Sequence, residues 1–455
     1  MCDGFNIVSG CRWRNETSAV PASNPSSFVL YIRYNTLQGS ETSTLKSQAC
    51  GSAEFTLRAY ARGLFELQMA GFRLLPMEGM RGISALLVFF VHFDALFGSR
   101  AQSPELADTF RFLGHIGYRG VDVFFALSGF IMYGILLGKP TRYSSFIWRR
   151  VVRLYPVFTT IFLLYVILEL TMGRNGRLSG SFASNVVYLA ENYLMLPGFF
   201  PIVPLITVTW SLSYEFFFYL TLPLAISALR LSAWPHAKRV ILVTAVSLAH
   251  LALTLTGLIG HGEMVMFTCG ILLRETISFR SIWSRPAWLR AGSIASLLAF
   301  GGALAMQGMR GAPAWTQYSG TIVGIQGWRL GVLFVATYAL GYFALSGDGF
   351  LATWFSWDWL RWFGNISYSY YLVHGLVLHL LLKACDFLHL PPSLSISSFL
   401  LLCVFAFLAT ALGGAVLFLA IEKPAWRLGK RNSSQAAALH SQACSCGSAD
   451  LPALG

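Results

Sequence analysis

The stretch MRGISALLVFFVHFDALFG, residues 80–98, decides how this chain is read. The residues between Arg81 and His92 are all apolar or small. On a helix, eleven steps make about three turns, so both side chains share one face, roughly 16 Å apart along the axis. With Arg81 at the water interface, His92 falls near the middle of a bilayer. An ionisable group there is costly unless a polar partner or a water-filled cavity receives it, so the expectation is a functional site. The competing reading is a histidine hydrogen-bonded to a neighbouring helix for packing alone.

The rest of the chain supports a membrane setting. It is 55% hydrophobic and 12% charged, with a mean hydropathy of +0.59, too apolar for a soluble globule. The net charge of +13 would suit nucleic acid, but the Lys and Arg residues fall in short clusters between apolar runs. Such clusters orient membrane helices, so no nucleic-acid partner is expected. Of the eight cysteines, Cys269, Cys385 and Cys403 lie in apolar segments, and Cys444 and Cys446 have no ligands at metal spacing. Neither a zinc site nor a disulfide framework is read, and no metal is expected.

Segments of membrane-spanning length predict an all-α, polytopic integral membrane protein with about ten transmembrane helices. These are 82–98, 116–138, 154–172, 211–229, 240–260, 264–277, 291–308, 320–345, 366–382 and 398–421. Lys139, Arg142, Arg149, Arg150 and Arg153 lie in one connection without an acid. Arg230, Lys238 and Arg239, then Arg274, Arg280, Arg285 and Arg290, fill later alternate connections, and Lys423, Arg427, Lys430 and Arg431 follow the last span. The positive-inside rule places both termini in the cytoplasm. The connection with Asp348, Asp358 and Arg361 breaks the trend, being inside by count yet not basic. Residues 1–75 are polar, without a spanning run or a signal-peptide pattern. They are expected to be a poorly ordered extension, or sequence upstream of a start at Met69 or Met77. Residues 432–455 are expected to form a disordered tail, leaving residues 76–431 as the membrane domain.

Six stretches in order carry a resemblance: MEGMRGISALLVFFVH (77–92), GVDVFFALSGFIM (120–132), RRVVRLYP (149–156), TWSLSYEFFFY (209–219), GNISYSYYLVH (364–374) and EKP (422–424). From Met77 to about Arg427 the chain resembles the membrane-bound acyltransferase 3 family, whose members O-acylate glycans and macrolides. The resemblance implies that Arg81 and His92 are the family's Arg-x10-His pair, His92 being catalytic. It aligns Arg150 and Arg153 with the Arg-x-x-Arg element near cytoplasmic acyl-CoA, and Glu215 with the acid of the Trp-Ser-Leu-x-x-Glu segment.

These residue types suit the chemistry. An alcohol is a poor nucleophile until its proton is removed, and histidine is the side chain suited to that work near neutral pH. Burial in the membrane favours neutral imidazole, the form that accepts a proton. Glu215 shares a helical face with Ser211. It could orient His92, stabilise its imidazolium, bind sugar hydroxyls, or pair with Arg119 or Arg329. Arg150 and Arg153 could hold phosphates of coenzyme A through their planar forks, or anchor the topology through lipid phosphates. Trp210, Tyr371 and His374 could line an acceptor pocket, although interfacial belting explains aromatic residues too. Ser128 and Gly129 permit close helix approach. Asp122 could pair with Arg119 or Arg81, and His250, His261 and His379 fall into no pattern.

The expected activity is transfer of an acyl group, expected to be acetyl, from cytoplasmic acyl-CoA to a hydroxyl of a cell-surface or lipid-linked glycan or other glycosylated acceptor. No bound cofactor is expected, and the setting is a bacterial inner membrane, with lipid as a partner. Whether His92 acts directly as base or first carries the acyl group stays open. The alternative class is a transporter or flippase, which would need repeat symmetry or charges coupled along a path. The sequence has no internal repeat.

Overall fold

The structure, a computed structural model, describes residues 57–66, 74–138, 141–172, 176–178, 180–277, 286–308, 327–346 and 349–428. The chain divides after Ala61 into two units, and the helical bundle lies in residues 62–455. No strand forms among the described residues. Apart from short 3-10 and π turns, the helices are α1 (Leu57–Phe65), α2 (Leu75–Phe97), α3 (Pro104–Gly117), α4 (Gly120–Gly138), α5 (Tyr143–Met172), α6 (Phe182–Tyr193), α7 (Thr209–Ala228) and α8 (His236–Leu255). They continue with α9 (Val265–Thr276), α10 (Pro286–Gly308), α11 (Gly327–Leu345), α12 (Phe350–Phe355), α13 (Asp358–Asn365), α14 (Ser367–Phe387) and α15 (Ile396–Leu417).

Each of the ten expected spans coincides with a helix, and the protein is an all-helical polytopic membrane protein. Seven described stretches are long and apolar enough to cross a membrane: Leu75–Arg100, Pro104–Gly138, Tyr143–Thr171, His236–Leu255, Trp288–Gly308, Trp328–Leu345 and Ile396–Leu428. The remaining three are α7, α9 and α14. Helices α7 and α14 have 20 and 21 residues, and their hydropathy is diluted by Ser211, Glu215, Ser367, Ser369 and His374. Helix α9 has only 12 residues. Outward faces are apolar: Leu163, Leu170, Leu248, Leu298, Leu401, Val404, Leu408 and Leu412 are all exposed. A bundle surrounded by lipid tails carries such residues outward without penalty.

Local chemistry sets several boundaries. Ser103 caps α3 by accepting from the Leu106 amide at 3.4 Å, with Pro104 in the first turn, and Ser395 caps α15. Both devices satisfy amides that a helix start leaves unpaired. After α15 a π turn spans Phe418–Glu422 and brings Glu422 to the Ser369 hydroxyl at 2.5 Å. Single π turns are recurrent at functional positions.

Glycine fixes two close approaches. A Cβ at Gly270 on α9 would strike the Ala126 carbonyl of α4, and one at Gly129 would strike the Phe267 carbonyl. The close approach expected of the Ser128–Gly129 pair is thus realised at Gly129, by the contact that small residues allow between membrane helices. Helix α2 runs through the bundle, burying Ala85, Phe89, Phe93 and Phe97 against Phe110, Tyr370 and Phe399. Arg81, four residues before Ala85, and His92, three after Phe89, lie along the edge of this stripe.

The connection that breaks the basic trend is folded in. Arg361 is buried and pairs with Glu66 at 3.1 Å, Glu78 at 3.1 Å and Asp358 at 2.9 Å. Asp358 is thus consumed internally, which is why it does not follow the pattern of free loops. Asp348 lies outside the described residues, as do Lys139, Arg280, Arg285, Lys430, Arg431, residues 320–326 of the eighth expected span, most of the N-terminal extension and the tail 432–455. Within the segment expected to be poorly ordered, Leu57–Phe65 is helical and amphipathic.

Candidate active site

His92 stands on the wall of a cavity of about 820 Å³. The cavity gathers the C-terminal part of α2, the α3 residues Arg111 and His115, the loop Pro197–Pro201, the start of α7 and the turn at Gly260–Glu263. Trp210 lies flat on Tyr118 in this wall, with ring centroids 5.4 Å apart and planes 6° from parallel. An aromatic platform beside polar groups suits a sugar face. Tyr214 and His261 join through the tyrosine hydroxyl and Nδ1 at 2.7 Å.

Behind His92 stands His374, its ring centroid 4.8 Å away and its plane inclined by 67°. His374 is completely buried, stacked on Tyr370 at 5.3 Å and tilted against Tyr371 at 5.9 Å. It lines neither cavity.

A second cavity, of about 60 Å³, is lined by Arg81, Ser128, Arg153, Glu215, Tyr219, Ser367 and Tyr368 among apolar residues from α4, α5 and α7. Arg81 donates to Ser367 Oγ from Nε at 3.2 Å and from Nη2 at 2.9 Å, and to the Gly364 carbonyl at 3.3 Å. It thereby ties α2 to the start of α14. Glu215 accepts from Ser128 Oγ at 2.6 Å and from the Tyr219 hydroxyl. Arg153 lines this cavity and makes no hydrogen bond among the described residues. One turn earlier, Arg150 is buried over the Tyr219 ring at 5.9 Å and the Phe146 ring at 5.5 Å. Its Nε and Nη1 have no hydrogen-bond partner among the described residues.

Val121 and Tyr371 line both cavities, so the two adjoin there. Tyr371 is held in place because its hydroxyl and Ser211 Oγ lie 2.7 Å apart. Both reach the Val208 carbonyl, at 3.3 and 3.1 Å.

The expected site residues therefore fall into two groups. His92 and Trp210 belong to the larger cavity, Arg81, Glu215 and Arg153 to the smaller, and Tyr371 to both. Glu215 makes no contact with His92 or with Arg119: its partners are Ser128 and Tyr219. Arg119 instead takes Asp122, at 3.2 Å, and that pair is buried. His374 stands behind His92 rather than on the wall of the larger cavity, and Arg150 backs the smaller cavity without lining it. Asp94, His115 and Glu263 join the larger cavity without having been singled out, as do His261 and His379, which fell into no pattern. They come from four separate elements, so nothing in local spacing marks them; only an ionisable residue at a membrane helix end was there to be noticed. Ser128 points into the smaller cavity, while its neighbour Gly129 makes the helix contact.

A family model described as an acyltransferase domain, of the acyltransferase 3 type, matches residues 76–416. Among curated proteins, the chain is 31% identical over 160 residues to Acyltransferase MdmB of Streptomyces mycarofaciens, covering 33% of this chain and 39% of that protein. It is 34% identical over 90 residues to Protein 2 in picA locus of Rhizobium radiobacter, covering 19% of this chain and 40% of that protein. The chain thus spans about two fifths of the length of these relatives. No solved structure matches.

Proposed function

The chain belongs to the acyltransferase 3 family, and from that premise we propose that it is a membrane-embedded O-acyltransferase. It moves an acyl group, acetyl in the simplest case, from acyl-CoA to a hydroxyl of a cell-surface or lipid-linked glycan or another glycosylated acceptor. The setting is a bacterial inner membrane with both termini in the cytoplasm. The observation that carries the reading is the shared wall at Tyr371 and Val121, where a cavity bearing Arg81 and Arg153 meets one bearing His92. A transferase for two dissimilar substrates needs two compartments with one meeting point.

The donor belongs on the arginine side. Basic connections put Arg150 and Arg153 at the cytoplasmic end of α5, and their guanidinium groups have donors to spare for phosphate oxygens. The pantetheine arm then runs past Arg81 and Glu215 and delivers the thioester to Tyr371. Arg81 lies about three turns from His92 along α2, so the two cannot act on the same atom. Arg81 is assigned to the donor side and to holding α14, and Glu215 to polarising the same passage with Ser128 and Tyr219. The acceptor occupies the larger cavity, its sugar ring against Trp210.

At the junction His92 takes the proton of the acceptor hydroxyl as the oxygen attacks the thioester carbonyl. The C–O bond forms, the tetrahedral intermediate collapses, and the C–S bond breaks. The departing thiolate takes the proton back from the imidazolium, so His92 ends neutral and no charge is left in the membrane. Direct attack needs one transfer and uses both cavities at once, which favours it over an acyl-histidine.

The test is label transfer from acetyl-labelled CoA in cytoplasm-side-out vesicles. Label is expected in a base-labile glycan ester with the native protein and absent with His92→Ala at equal membrane abundance. Equal labelling by both would remove His92 from the chemistry, and proton-driven glycan uptake without acyl-CoA consumption would make the protein a transporter.

A further inference from the structure

His374 has one ring nitrogen satisfied and one not. Its Nδ1 lies 3.2 Å from the Tyr370 carbonyl oxygen. A carbonyl only accepts, so Nδ1 carries the hydrogen, and neutral imidazole then keeps its lone pair at Nε2. That Nε2 is buried and has no hydrogen-bond partner among the described residues, although buried polar atoms in folded proteins nearly always find one. Three rings pack on the imidazole. The Tyr370 hydroxyl accepts from Thr410 Oγ1 at 3.5 Å and the Tyr371 hydroxyl lies 2.7 Å from Ser211 Oγ, and neither is a partner of Nε2. The third ring is His92, 4.8 Å away between centroids and inclined by 67°, which makes no hydrogen bond among the described residues.

We propose that His374 is a positioning residue whose Nε2 accepts the N–H of His92, turning the other His92 nitrogen, with its lone pair, towards the acceptor cavity. The pairing rests on the nearness of the two rings and on the unpartnered Nε2, no hydrogen bond joining them in this structure; its catalytic consequence rests on the acyl-transfer reading. When His92 takes the hydroxyl proton, its bond to His374 becomes charge-assisted and strengthens. Stabilisation that grows towards the transition state raises kcat. No proton passes to His374, whose own hydrogen stays on Nδ1, donated to the Tyr370 carbonyl. The device is suited to a membrane interior, because a neutral acceptor orients the base without adding a carboxylate there. Asp94, His115, His261, Glu263 and His379 also face the cavity; His379 is bound through Nδ1 to the Gly375 carbonyl at 2.7 Å.

The test compares the native full chain with His374→Phe and His374→Met, which remove the acceptor, and with His374→Gln, whose side-chain oxygen replaces it. One readout is label transfer from acetyl-CoA in vesicles. The other is carbethoxylation of His92 by diethyl pyrocarbonate, followed by peptide mass spectrometry, which needs no acceptor substrate. The apolar variants are expected to lower kcat about ten- to a hundredfold, the range of one lost hydrogen bond to a charged group. The KM for acetyl-CoA should stay within about twofold, as for an interaction made only in the transition state. His374→Gln is expected to recover most of the loss. The apolar variants should also slow carbethoxylation of His92 but not of His379. Unchanged His92 reactivity in all variants would overturn the pairing, and unchanged kcat in an active protein would overturn its role. Altered His92 reactivity in a protein that transfers no label would keep the pairing and overturn the acyl-transfer reading. The methionine variant decides the matter should the phenylalanine variant fail to accumulate.

Discussion

His92 was legible from the sequence as an ionisable residue about three helical turns from Arg81, and the structure gives it a cavity to face. Removing a general base costs about 10²- to 10⁴-fold, so His92→Ala is expected to lower transfer by that factor at equal abundance, as measured by base-labile label. Arg153 makes a different prediction. It lines the smaller cavity without a hydrogen bond, so Arg153→Ala should raise the KM for acyl-CoA about tenfold or more, the scale of one charge-assisted contact, with kcat little changed. Initial rates over a range of donor concentration separate the two effects, and a fall in kcat alone would place Arg153 outside donor binding. Glu215 was legible as an acid in need of a partner, but not which partner. Ser128 is 87 residues away along the chain, and only packing of α4 on α7 brings it there.

Among the elements, the three spans that fall short in length or hydropathy are informative. Helices α7 and α14 lose hydropathy to Ser211, Glu215, Ser367 and His374, side chains that face cavities or other helices instead of lipid. Helix α9 is short but pressed against α4 at Gly270. A larger residue there must push backbone from backbone, and overpacking of this kind costs about 1–3 kcal/mol. Gly270→Val is therefore expected to lower the thermal unfolding midpoint in detergent, and with it transfer, because Ser128 sits beside the α4 contact. Gly302→Val, on α10 where a Cβ meets nothing within 4 Å, should leave both unchanged; equal effects of the two substitutions would remove the packing explanation. The helices were legible from run length because hydropathy is a local property. The break between α3 and α4 was not, since the expected span 116–138 runs across it.

For the whole molecule, the two cavities face opposite ends of the bundle if the chain alternates as its basic clusters direct. Thr207→Cys, in the larger cavity, should react with an impermeant maleimide added to intact spheroplasts. Ser145→Cys, in the basic connection before Arg149, should react only after the membrane is opened; the reverse pattern would invert the orientation and move the donor to the other cavity. What the sequence by itself determined is the class of the molecule: an all-helical membrane protein, the order of its spans, its family, and the residues whose charge is costly in lipid. Those follow from hydropathy, helical period and charge clusters, each written in neighbouring residues. Only the tertiary structure decided which of those residues meet. Ser211 and Tyr371, 160 residues apart, close the wall between the cavities, Arg119 rather than Arg81 takes Asp122, and His374 stands behind His92 instead of lining the larger cavity. Such contacts depend on how close two helices approach and at what rotation. Side-chain volumes and backbone contacts across the whole bundle set both, and no local stretch of sequence contains them.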